Sequence, residues 1–259
     1  MRLLLVSNST GPDGNYLDWC ENELTTFLGT GAHVLFVPFA GVDEGTYGKT
    51  AVDRLALMGV TAEWADRSDD FGAALGRATA VFIGGGNTFL LLDRLARSGM
   101  LDAIRDRVRD GLPYVGTSAG ANVAGPTIRT TNDMPIVEPP SFAALGLVPF
   151  QINPHYIDRD PDSTHKGETR DQRLLEFLTQ NDTPVVALRE GALLDVSDGS
   201  VEVRGRAGAR VYLKGQDRRE VPPGTRIDDL VGGPEPGAPD AGRSSKGIFP
   251  RPARSGTGS

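Results

Sequence analysis

Short apolar runs alternating with amphipathic stretches dictate most of what this chain can become. Runs near Leu3–Ser7, Val34–Pro38, Thr61–Trp64, Ala80–Ile83, Tyr114–Val115 and Phe150–Ile152 have strand length and end at Gly, Pro or polar turn formers. Between them, helical spacing is read near Leu17–Leu28, Gly48–Met58, Phe89–Arg97 and Asp102–Arg109. This alternation predicts an α/β fold, a mostly parallel sheet with helices on both faces. After a helix at Asp171–Gln180 the pattern tightens to Val185–Leu188, Ala192–Val196, Val201–Arg204 and Val211–Lys214, with turn signals at Asp198-Gly199 and Gly215. Those strands predict an antiparallel extension of the same sheet. Residues 1–230 are therefore expected to form a single domain. Residues 231–259, rich in Gly, Pro and Ser, cannot repay the entropy of ordering and are expected to be a disordered tail.

Open α/β sheets bind ligands outside the carboxyl ends of their strands. Ser7-Asn8, Phe39-Ala40, Gly84-Gly85-Gly86 and Ser118 all fall at such ends. The last lies in Gly116-Thr117-Ser118-Ala119-Gly120, a G-x-S-x-G between an apolar strand and a small-residue helix. That context is what a nucleophile elbow needs, with the serine hydroxyl held above the sheet and glycines permitting close approach. The Ala119 N–H, at the helix start, is free to face a developing oxyanion. Gly84-Gly85-Gly86-Asn87 closes another strand, and lacks the G-K-[ST] of a phosphate loop. Gly85 or Gly86 is expected to supply the second oxyanion donor.

A serine nucleophile needs a base, and the chain has three histidines. His33 opens an apolar strand and reads as a strand-entry residue. His155 follows Phe150-Gln151-Ile152-Asn153-Pro154, where a strand hands over to a loop, and is the expected base. His165, in a polar stretch, is the weaker second candidate. Asp133 and Glu138 both lie between serine and histidine, and spacing alone does not separate them as the orienting acid.

Several segments together resemble peptidase E, the aspartyl dipeptidase family. They are Leu3 to Thr10, Val37-Pro38-Phe39-Ala40-Gly41, Gly84 to Phe89, Ile128 to Val137, Phe150 to His155, and His165-Lys166-Gly167-Glu168-Thr169-Arg170. The likeness runs in order from the first strand to about Arg173, more loosely to Leu230. It implies a fold similar to the class I glutamine amidotransferase domain, with serine in place of cysteine. It also implies release of an N-terminal aspartate from short peptides, chiefly dipeptides, without a metal or cofactor. The family's nucleophile, acid and base fall on Ser118, Asp133 and His155. The substrate carboxylate needs a cation, for which Arg170 is the first candidate, with Arg129 and Lys166 behind it. Glu168 and Asn87, inside the matching segments, are further candidate substrate contacts. The loop from Tyr156 to Thr164, carrying Asp158, Asp160 and Asp162, is slightly longer than the family pattern.

A cyanophycinase-like peptidase shares this type of elbow, but the run through Asn132-Asp133-Met134-Pro135 disfavours it. In α/β-hydrolase esterases the acid usually lies much further from the serine. A non-catalytic binding module of the same fold would not need to keep all three candidate residues. The net charge of −7, with no run of Lys or Arg, argues against nucleic acid as a partner. No apolar stretch approaches the roughly 20 residues of a membrane span. The single cysteine, Cys20, at helical spacing with Leu17, Leu24 and Phe27, reads as a core thiol. Together with a strand opening directly after Met1-Arg2, it points to a cytoplasmic protein, a monomer or small homo-oligomer. Nothing in the His, Cys or acidic spacing resembles a metal site.

Overall fold

Alternate side chains of the central strands face two different apolar cores, as a sheet covered on both sides requires. In the computed structural model, which describes residues 1–11, 14–67, 70–159 and 167–231, β1 (Arg2–Val6), β2 (His33–Val37), β3 (Thr61–Trp64), β4 (Ala80–Ile83) and β5 (Tyr114–Thr117) run parallel. β6 (Gln151–Tyr156) and β7 (Val185–Arg189) pair parallel in a second sheet. β8 (Ala192–Ser197) and β9 (Ser200–Gly205) return to the first sheet antiparallel. β10 (Ala209–Tyr212) and β11 (Arg219–Val221) complete the second, and β12 (Thr225–Arg226) edges the first. The orders are β12-β9-β8-β1-β5-β4-β2-β3 and β11-β10-β7-β6.

This corrects the sequence reading at one point. β6 and the closely spaced carboxyl-terminal strands were expected on one sheet, and they divide between two. β1 already has β5 on one side and β8 on the other, so no edge remains beside it for β6. β7 offers one instead. The second sheet packs over the first, and Val186, Leu188, Val211 and Val221 share a core with Leu3, Leu5, Val81 and Ile83.

That core also takes the apolar faces of α3 (Phe71–Arg77), α4 (Thr88–Arg97) and α5 (Met100–Arg109). On the opposite face, α1 (Glu21–Leu28) and α2 (Glu44–Leu57) pack Leu24, Phe27, Ala51 and Leu55 against Leu4, Val6, Val34 and Phe36. α6 (Ala119–Asn122) is the single turn after β5, and α7 (Arg170–Gln180) covers the second sheet with Leu174 and Leu178. α3 was not anticipated from the sequence. Among the described residues, no helix is long and apolar enough to cross a membrane. Residues 232–259, read as a tail, lie outside the described residues, as do Asp160, Asp162, His165 and Lys166.

Candidate active site

The site begins with two residues in unusual backbone conformations. Ser118, between β5 and α6, has φ 52° and ψ −109°, a region that costs a non-glycine residue about 1–3 kcal/mol. The strain is held by its N–H, which donates to the Val6 carbonyl at 2.9 Å, and by close backbone packing around the turn. A Cβ on Gly116 would lie 2.4 Å from the Gly120 carbonyl oxygen, and one on Gly120 2.1 Å from that of Ile83. Only glycine fits either position.

His155 also has a positive φ, 52°, where the register between β6 and β7 shifts between Asn153 and Tyr156. Its N–H donates to Ser7 Oγ at 2.9 Å, and that hydroxyl donates to the Leu188 carbonyl at 2.9 Å. The end of β1 thus pins the histidine from below. Nε2 lies 2.9 Å from Ser118 Oγ, and Nδ1 lies 2.8 Å from Glu190 Oε1. Glu190 sits at the corner where the chain leaves β7 for β8, crossing between sheets. The next N–H, that of Gly191, donates to Asn8 Oδ1 at 2.8 Å, fixing the corner to the residue after Ser7. With the proton on Nδ1 held by the carboxylate, Nε2 is left to accept the serine proton.

Asp133 is elsewhere. Its Oδ2 accepts the Thr88 N–H at 2.8 Å, the Thr88 hydroxyl at 2.5 Å and the Thr131 hydroxyl at 3.2 Å. The first turn of α4 has N–H groups without intrahelical partners and a positive dipole end, and both attract this carboxylate away from the histidine. Glu138, the rival acid, is exposed and accepts from Arg97 only through its carbonyl oxygen.

The two upstream oxyanion candidates differ. The Gly85 N–H donates to Tyr47 Oη at 2.9 Å. Among the described residues, the Gly86 and Ala119 N–H groups donate to no partner. Gly85 still borders the nucleophile, since a Cβ there would meet Ser118 Cβ at 3.1 Å.

Arg170 opens α7, and its guanidinium makes no ion pair or hydrogen bond among the described residues. Burial, with Arg173 as a like-charged neighbour, lowers its pKa against the opposing pull of Asp133. It lines a small cavity with Asn132, Asn153 and Arg173. A cavity of about 430 Å³ adjoins it, sharing Arg129, Thr131, Arg173 and Phe177. Arg129 lies over the Phe142 ring at 5.3 Å. Glu168 is exposed and faces Arg173 Nε at 3.6 Å. Asn87 is engaged at the start of α4, accepting from the Leu90 N–H at 3.0 Å and donating to the Met134 carbonyl at 2.8 Å. Its carboxamide therefore helps hold the fold beside the glycine loop, with one N–H and one lone pair committed to backbone partners. Among the described residues, no group of three or more His, Cys, Asp or Glu could hold a metal ion.

The sequence reading missed Glu190. A carboxylate beside a glycine, at the carboxyl end of a strand, was a usable signal, and the same rule had picked out Ser118.

Residues 3–204 match the profile described as Peptidase family S51. The chain is 50% identical over 231 residues to "Peptidase E" of Streptomyces coelicolor, covering 89% of this chain and 95% of that protein. It is 44% identical over 224 residues to the "Probable alpha-aspartyl dipeptidase" of Drosophila melanogaster, covering 85% and 93%. The crystal structure of a peptidase from an acI-B1 Actinobacterium superposes with a TM-score of 0.66 at 18% identity, covering 87% of this chain and 96% of that one, and supports the fold.

Proposed function

The chain belongs to peptidase family S51, and from that premise we propose that it hydrolyses dipeptides bearing an N-terminal aspartate through Ser118, His155 and Glu190. The observation carrying this reading is the unbroken path from Ser118 Oγ through the imidazole to the Glu190 carboxylate, at 2.9 and 2.8 Å. Ser118 Oγ attacks the carbonyl of the first residue as His155 Nε2 takes the hydroxyl proton. The Ala119 and Gly86 N–H groups, both without partners among the described residues, receive the developing oxyanion. His155 then returns the proton to the leaving amine, and water, activated by the same imidazole, releases the aspartate. Glu190 holds the Nδ1 proton and stabilises the imidazolium. Asp133 acts at a distance, by holding the start of α4 behind the Gly86 loop.

The names of the Streptomyces and Drosophila relatives support an aspartyl dipeptidase, and Arg170 gives the preference a physical basis. A partly buried guanidinium is a charge-assisted, bidentate partner for the substrate β-carboxylate. A neutral first residue would leave it unpaired. A reducing compartment suits a chain with one buried cysteine, and we assign the enzyme to the cytoplasm.

Hydrolysis of Asp-Leu, a longer Asp peptide, cyanophycin and a p-nitrophenyl ester tests the reading against its rivals. Asp-Leu should be turned over far faster than the others. Preference for the polymer or the ester would replace this reading with a cyanophycinase or an esterase, and no turnover of any of them with a binding module.

A further inference from the structure

Three residues of the site have neighbours in sequence that meet in one polar network behind it. Tyr156 follows His155, Asp171 follows Arg170, and Arg189 precedes Glu190. We propose that Asp171 is a positioning residue, fixing the spacing between His155 and Arg170 and so setting how strongly an acidic first residue is preferred. This rests on the reading that Arg170 takes the substrate carboxylate.

The Asp171 carboxylate gathers donors from β6, from β10 and from the loop between β10 and β11. The Tyr156 hydroxyl of β6 and the Tyr212 hydroxyl of β10 both donate to Oδ1. Arg210 Nη1 lies 3.4 Å from the same oxygen and 2.7 Å from Tyr156 Oη. Arg218 Nη1 lies 3.1 Å from Oδ2. Burial opposes the charge on this carboxyl, but the two hydroxyls and two guanidiniums outweigh it and hold its pKa below the usual value. Arg210 extends the network to Asp158 at 3.0 Å, and Asp158 is gripped by Arg189 at 2.6 and 2.9 Å.

Docking α7 does not call for so much. Its amino terminus already has a capping box from Thr169 and Gln172, and its apolar face buries Leu174 and Leu178. What the carboxylate adds is a rigid link between the first turn of α7, which carries Arg170, and the strand residue next to His155. A substrate held by its β-carboxylate presents its carbonyl to Ser118 only if that spacing is right, and a displacement of about 1 Å can cost on the order of 10²-fold. A neutral substrate, not held by Arg170, is indifferent to that spacing.

The test is kcat/KM for Asp-Leu and Asn-Leu in the wild type, Asp171→Asn, Tyr156→Phe, Arg170→Ala and Leu178→Ala, with Tm for each. Asp171→Asn should lower the Asp:Asn ratio about tenfold, and Tyr156→Phe, which keeps the ring and removes one donor, a few-fold in the same direction. Leu178→Ala, at the far end of α7, should lower Tm with the ratio unchanged. A ratio in Asp171→Asn and Tyr156→Phe equal to the wild type's, while Arg170→Ala abolishes it, overturns the positioning role and leaves the Arg170 reading intact. A ratio near one in the wild type, or one unchanged in Arg170→Ala, overturns that reading and this proposal with it. Should Asp171→Asn fail to fold, Tyr156→Phe alone decides.

Discussion

Replacing Glu190 by glutamine separates the two carboxylates that could orient His155. The substitution keeps the size of the side chain and removes its charge. The carboxylate oxygen lies 2.8 Å from Nδ1, and the side chains of His155 and Glu190 are 38% and 46% exposed. With charge centres about 4 Å apart and an effective dielectric between about 20 and 80, the imidazolium loses about 1–4 kcal/mol of stabilisation. Solvent access favours the lower half of that range, about 1–2.5 kcal/mol, which corresponds to a loss in kcat of about 5- to 70-fold. A buried triad acid would cost more, up to about 10⁴. Asp133→Asn should act differently. Its carboxylate touches Thr88 and Thr131, and the amide oxygen can still accept the Thr88 N–H. The expected result is a loss of a few-fold at most, with a lower Tm from the weakened start of α4. Leucine release from Asp-Leu, followed by amine derivatisation on both purified variants, measures the two effects side by side. Near wild-type kcat in Glu190→Gln, with a 10³-fold loss in Asp133→Asn, would refute the reasoning and return the acid to Asp133.

Gly86→Ala should keep the protein folded by circular dichroism and cut kcat by about 10² or more, the scale of losing one oxyanion donor. The new Cβ would meet the Ala40 carbonyl oxygen at 2.3 Å at a φ of 133°, so the peptide must turn away, and full activity would remove Gly86 from the oxyanion hole. Burial pushes the Cys20 thiol up to about 12, so the native enzyme should resist iodoacetamide at neutral pH and keep its activity; rapid labelling with inactivation would contradict the core position. The Arg189 hydrogen bonds hold Asp158 below its ordinary pKa, and Asp171 is likewise held down by its tyrosine and arginine partners despite its burial. Their contribution to stability is therefore present above the unfolded carboxylate value near ~3.9 and is lost as pH falls through the lower folded values. Tm measured from pH 7 to pH 2 should fall more steeply in the wild type than in Asp158→Asn.

What the sequence made legible was local. The central apolar strands announce themselves because both faces are buried, unlike the edge strand β3, and the turn at Ser118 because it needs glycines on either side. His155 stands out because the chain has few histidines, and the structure brings its Nε2 to 2.9 Å from Ser118 Oγ. α3 escaped because only Phe71 and Leu75 are buried in it and the rest is Ala, Gly and polar residues. Strand patterns say nothing of which sheet a strand joins, so the division between two sheets was hidden. The same division hid Glu190, since it reaches His155 only because β7 and β8 belong to different sheets and their corner is tied to Asn8. Asp133 was set apart from Glu138 by the family resemblance and not by spacing, and its partner Thr88 comes from a helix much earlier in the chain. Gly85 and Gly86 are indistinguishable in sequence, and it is the Tyr47 hydroxyl of α2 that occupies the N–H of Gly85.

The central claim is that Ser118 performs metal-independent hydrolysis directed at an N-terminal aspartate. Its most direct test is kcat/KM for Asp-Leu and Asn-Leu, measured with EDTA present, in the wild type and in Ser118→Ala freed of host peptidases. The wild type should favour Asp-Leu by about 10²–10⁴, and Ser118→Ala should lose about 10⁴–10⁶ in kcat on Asp-Leu. Equal turnover of the two substrates, abolition by EDTA, or a tenth of the activity surviving in Ser118→Ala would contradict it.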